Sequence, residues 1–77
     1  MTCAALAGQL RAVLAAIDRG ATQEAVDLLA TVERRAFLDG CPCAGDLGFC
    51  RWRVSTDDPG AAVVVLSLLL TRQGAPQ

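Results

Sequence analysis

The sequence predicts an all-α domain of three helices, a helical hairpin followed by a third apolar helix, with a cysteine-rich loop between the second helix and the third. Three observations predict it. Apolar residues recur at helical spacing in two segments near the N-terminus. Hydrophobic residues make up 53% of the chain but aromatics only 4%, so the core is left to Leu, Val and Ala, and Ala and Leu are strong helix formers. An Asp-Asp-Pro start signal then precedes a Leu-rich run toward the C-terminus.

Residues 4–18 read as the first helix. Leu6, Leu10, Val13, Leu14 and Ile17 form one apolar stripe, with Gln9, Arg11 and Asp18 off it. Gly20 is placed to end the helix as a left-handed residue. Thr22 is the expected N-cap of the second helix, and Glu24 suits its first turn. Ala25, Leu28, Leu29, Val32 and Ala36 make the inner face, extended by Phe37. Glu24, Asp27, Thr31, Arg34 and Arg35 fall opposite, and Asp39-Gly40 breaks the helix.

Residues 39–58 read as a long connection, which a compact domain rarely leaves unheld. Cys50, Trp52 and Val54 alternate with Arg51 and Arg53, so a short extended piece is expected with the arginines facing water. Asp57-Asp58-Pro59 caps and opens the third helix, expected from Pro59 to about Arg72. Val63-Val64-Val65 would also suit a buried strand; the start signal and the leucines after it favour helix.

The 77 residues bound a single domain, 1–77, of a size at which a core alone is marginal. A metal, a disulfide or a partner chain would add what the core lacks. Net charge is −1, which supplies no field for nucleic acid or an anionic membrane. Trp52 between two arginines resembles a stacking contact to single-stranded nucleic acid, but a core Trp is the preferred reading. The opening residues lack the basic and apolar regions of a secretory signal. Ala61–Leu70, the longest apolar stretch, is about half a membrane span. The expectation is a cytoplasmic protein with no membrane span.

The chemical signal is sulfur. Cys41, Cys43 and Cys50 lie close together, and Cys3 lies far off in sequence. The first two predicted helices have nearly equal lengths, roughly 24 Å at 1.5 Å per residue. An antiparallel hairpin therefore returns the chain to its starting level near residue 38, which sets Cys3 level with Cys41. Four cysteines without a histidine fit tetrahedral zinc or an iron–sulfur cluster, since both take four thiolates. The candidate metal ligands are Cys3, Cys41, Cys43 and Cys50, with zinc preferred. Arg51 and Arg53 would offset the charge of such a centre. A disulfide is the competing reading. A Cys41–Cys43 bond would be strained, so Cys3 with one loop cysteine is the expected bridge. Cysteine as small buried filler is the bland reading, and it applies best to Cys3.

One cysteine followed at a distance by three, as in the order Cys3, Cys41, Cys43, Cys50, resembles the actinobacterial WhiB-like iron–sulfur regulators. The resemblance is confined to that order. Cys41-Pro42-Cys43 stands in place of a C-x-x-C pair, and a Gly-Trp-Gly turn and a basic C-terminal tail are missing. It implies only that an iron–sulfur centre is an alternative to zinc.

The third helix is apolar nearly all round from Ala61 to Leu70, more than a two-helix hairpin covers. A protein partner or a second copy is expected there. With no histidine and no phosphate-binding loop, no catalytic residue and no enzyme are expected. The expected function is a non-enzymatic protein-interaction or adaptor module stabilised by zinc. The alternatives are a redox-responsive iron–sulfur regulator and a helical accessory subunit whose cysteines are only structural.

Overall fold

The computed structural model describes residues 6–74, with side chains described through Arg72. Four helices occupy this span: α1 (Ala7–Asp18), α2 (Thr22–Leu38), α3 (Ala44–Ser55) and α4 (Pro59–Gly74). No strand occurs among the described residues. Packing follows chain order, α1 on α2, α2 on α3 and α3 on α4, and α4 closes the ring against α1.

The all-α expectation is met, but the count is four helices, not three. The expected cysteine-rich loop is mostly α3. Cys43, Leu47, Cys50 and Val54 recur at helical spacing and are all buried. Gly45 and Gly48 lie inside this helix and argue against it locally, by about 1 kcal/mol each relative to Ala. Tertiary packing overrides that cost, because the stripe has α2 on one flank and α4 on the other. Gly48 has a packing role: a Cβ there would meet Glu33 Oε2 at 2.9 Å.

The expected extended piece at Cys50–Val54 is therefore helical, and Trp52 changes sides. Periods of 2 and 3.6 agree at a separation of four residues and disagree at two. Cys50 and Val54 point inward in either case. Trp52 is 55% exposed, packing edge-on to Phe49 with ring centroids 6.1 Å apart. Arg53 lays its guanidinium over the indole, 4.9 Å from the ring centroid.

The helix ends share one device. Gly20, Gly40 and Asp57 have φ of 75°, 71° and 67°. In each turn the next amide reaches back to a carbonyl in the last helical turn: Ala21 N to Ala16 O, Cys41 N to Ala36 O and Asp58 N to Arg53 O, each at 2.8 Å. These are Schellman turns, which satisfy carbonyls a helix end leaves open. Gly20 ends α1 as the sequence predicts. Ala21, not Thr22, is the N-cap of α2, and no side chain caps that end. Pro59 opens α4, and Asp58 accepts from the Ala61 amide as an N-cap carboxylate should.

The core consists of the inner stripes of the four helices. Leu10, Leu29, Leu47 and Leu66 are the largest fully buried side chains. Leu28, Leu14 and Ile17 pack against it half-buried. Phe37 does not extend the α2 face: it is 74% exposed, beside Ala44 and Gly45 at the start of α3.

Candidate functional site

The Schellman turn after α2 fixes where the first sulfur goes. Gly40 takes the left-handed conformation, and Cys41 follows with its amide bonded to Ala36 O. Pro42 then pre-sets the next backbone angle. Ala44 N donates to Cys41 O at 3.2 Å, and Cys43 sits at φ −78°, ψ −4°. This is a type I turn with Pro at its favoured position. Cys43 is also the N-cap of α3, and no side chain caps that helix start.

Two sequential turns thus fold the Cys41-Pro42-Cys43 segment back on itself. Both cysteines are 5% exposed, and their Sγ atoms lie 2.6 Å apart. Cys41 is disulfide-bonded, whereas Cys43 keeps a titratable thiol. Burial raises the pKa of that thiol; its own backbone amide opposes the shift, and the Asp46 carboxylate adds to it.

Cys50 stands apart. It lies two turns further along α3, an axial rise of about 10 Å from Cys43. Its thiol donates to Ala62 O on α4, with 3.8 Å between sulfur and oxygen. Burial first, then Asp46, pushes its pKa up to about 11. In this arrangement it packs as an apolar filler with a weak donor. The structure thus brings Cys41 and Cys43 together and leaves Cys50 in the α3–α4 interface. Cys3 lies outside the described residues, so its convergence on this turn does too. Among the described residues no three His, Cys, Asp or Glu side chains group to hold a metal ion.

The arginines expected to offset a charged centre are engaged elsewhere. Arg51 Nε donates to Glu33 Oε1 at 2.7 Å and ties α3 to α2. Arg53 pairs with Asp58, and this pairing holds the Asp58 carboxyl below its usual range. Both arginines reinforce helix packing rather than the sulfur turn.

A second feature went partly unread. The sequence marks α4 as apolar all round, but not which face stays outside. Ala62, Leu66 and Leu69 are buried, while Val64 is 60% and Leu68 52% exposed. Residues 59–71 carry no charge, so that outer face is uncharged too. No helix of the described residues is long and apolar enough to cross a membrane. No family model, curated protein or solved structure matches the chain.

Proposed function

We propose that this chain is a non-enzymatic protein-interaction module that pairs with a second copy of itself through the exposed positions of α4 within residues 61–70. Val64 and Leu68 carry the reading: two large apolar side chains one helical turn apart, each more than half exposed. An uncharged face can meet its own copy without like-charge repulsion, as a two-fold interface requires. Sedimentation or light scattering at micromolar concentration tests it. The wild type is expected at twice the mass of the Leu68→Asp variant. A monomeric wild type sinks the reading. Leu69 is unsuitable for this test because it points into the core at 3% exposure.

In this proposal sulfur at the α2–α3 turn fastens the fold, and a disulfide at Cys41 serves better than zinc. The disulfide state of Cys41 and the position of Cys50, two turns from Cys43, support it. Zinc held by Cys3, Cys41, Cys43 and Cys50 predicts about one zinc per chain in elemental analysis, lost in Cys50→Ser. An iron–sulfur cluster predicts brown protein with visible absorbance. The disulfide proposal predicts neither, and a modest stability change for Cys50→Ser. A disulfide in a reducing compartment is transient or regulatory rather than permanent, so a cytoplasmic location makes the turn a redox-responsive element.

A further inference from the structure

We propose that the groove between α2 and α3, with the outer face of α3 beside it, docks an acidic amphipathic segment of another protein. The chain has three aromatic residues, Phe37, Phe49 and Trp52. All three lie outside a core built from Leu, Val, Ala and Cys, at 74%, 42% and 55% exposure. They also lie together. Phe37 lines the groove with Ala44 and Gly45. Gly45, Phe49 and Trp52 are spaced i, i+4 and i+7, so they share one face of α3. Phe49 and Trp52 meet edge-on. Single exposed apolar side chains are ordinary, but a contiguous aromatic surface marks an interaction site. Aromatic residues and Arg supply much of the binding energy where proteins meet. Helices α2 and α4 sit across the ring from each other, so this surface is separate from the exposed positions of α4.

Charge selects the occupant. The groove has a volume of about 730 Å³, and the small side chains of Ala30 and Ala44 leave it open. Glu33 and Arg51 neutralise each other across it at 2.7 Å. Arg34 lines the same groove and has no ion-pair partner among the described residues. The groove therefore holds one uncompensated positive charge and an exposed aromatic ring. A carboxylate next to an apolar side chain complements both. An amphipathic helix presents such a pair one turn apart, at i and i+4. A nucleic-acid strand fits less well. Arg51 and Arg53 are already paired with Glu33 and Asp58, and the chain carries a net charge of −1. A phosphate backbone is held by several free cations.

Trp52 is the only tryptophan, so its emission reports on this face. The probes are two synthetic peptides of roughly fifteen residues, about four helical turns. They share the same Leu positions and carry either Glu or Lys at the polar ones. The Glu peptide is expected to shift Trp52 emission saturably at micromolar concentration, and the Lys peptide to bind at least about tenfold more weakly. Phe37→Ala is expected to weaken the Glu peptide about tenfold. Arg34→Glu is expected to invert the preference, and its gain of Lys-peptide binding is a result that an unfolded variant does not give. Both side chains are exposed, so neither substitution disturbs the core. The Leu68→Asp chain is expected to bind the Glu peptide as the wild type does, which separates this surface from the pairing of copies. Equal binding of the two peptides, indifference to Arg34→Glu, no response to either peptide, or loss of binding in Leu68→Asp overturns the proposal. A response to an oligo-dT strand without one to the Glu peptide overturns it too, and assigns the face to nucleic acid.

Discussion

Cys50 and Asp58 show how single residues of this chain respond to pH, and they respond in opposite directions. The Cys50 thiol is fully buried and is pushed up to about 11, so the folded state holds its proton more tightly than the unfolded chain does. Its contribution is fully present below the unfolded value near pH 9 and is lost as pH rises toward 11. Thiolate absorbance in the folded protein is therefore expected from Cys50 only near the top of that window. Early, stoichiometric ionisation near pH 9 would show that the site is not closed. Asp58 is the reverse case. Arg53 holds its carboxyl below the usual range, so its contribution is present above the unfolded value and is lost as pH falls through the folded one. Thermal unfolding below about pH 4 is expected to be less pH-dependent in Asp58→Asn than in the wild type. Asp57 beside it occupies the left-handed position that Gly fills at the two earlier turns. Asp57→Gly is expected to raise stability by up to about 1 kcal/mol, measured by denaturant midpoint, because a side chain at positive φ costs energy that Gly avoids.

At the scale of the element, α3 shows what the sequence disclosed and what it hid. Helices α1, α2 and α4 are legible because apolar stretches of helical length lie between helix breakers, α1 and α2 with a helical period and α4 behind its Asp-Pro start, although the expected Thr22 cap of α2 is not used. Leu10, Ala25 and Gly20 all take the places the sequence implies. In α3 the levels conflict. Two glycines, a proline at its threshold and a tryptophan at an alternating position point to a held loop, while the stripe Cys43, Leu47, Cys50, Val54 points to a helix. Leu47 is the residue that could have decided it, because it is an apolar side chain in step with the two cysteines and wholly buried. The site was legible in part for the same reason. The pairing of Cys41 with Cys43 follows from their spacing, but placing Cys50 with them assumed a loop that bends back. A helix cannot bend that way, and it carries Cys50 about 10 Å off. The two glycines of α3 also separate experimentally. Nothing lies within 4 Å of a Cβ built at Gly45. Gly45→Ala is expected to stabilise the fold by about 1 kcal/mol through helix propensity alone. Gly48→Ala gains less or loses, because the Cβ would push against the Glu33 carboxylate that Arg51 holds.

Viewed whole, the molecule exposes an ordinary amount of surface of uneven character. Its accessible area is 4592 Å², close to the roughly 4,500 Å² that size scaling gives for 8.0 kDa. The case for a partner rests on which residues hold that area. Val64 and Leu68 lie exposed on a charge-free stretch of α4, whereas Phe37 and Leu38, more exposed still, are flanked in the chain by Arg34, Arg35 and Asp39. A chain this short is marginal by itself, so burying that face against a second copy would add directly to folding stability. Stability then depends on mass action: a dimer whose folded state is the associated one unfolds at a higher temperature as the protein is concentrated. The unfolding midpoint of the wild type is expected to climb between micromolar and hundred-micromolar protein, whereas that of Leu68→Asp stays flat. Because Leu68 is about half exposed in the single chain, the substitution leaves the monomer's core intact, and at the lowest concentration the two midpoints are expected to converge. A wild-type midpoint that does not move with concentration, or a Leu68→Asp chain that stays far below the wild type even when dilute, would place Leu68 in the monomer's own packing and remove α4 as the surface between copies.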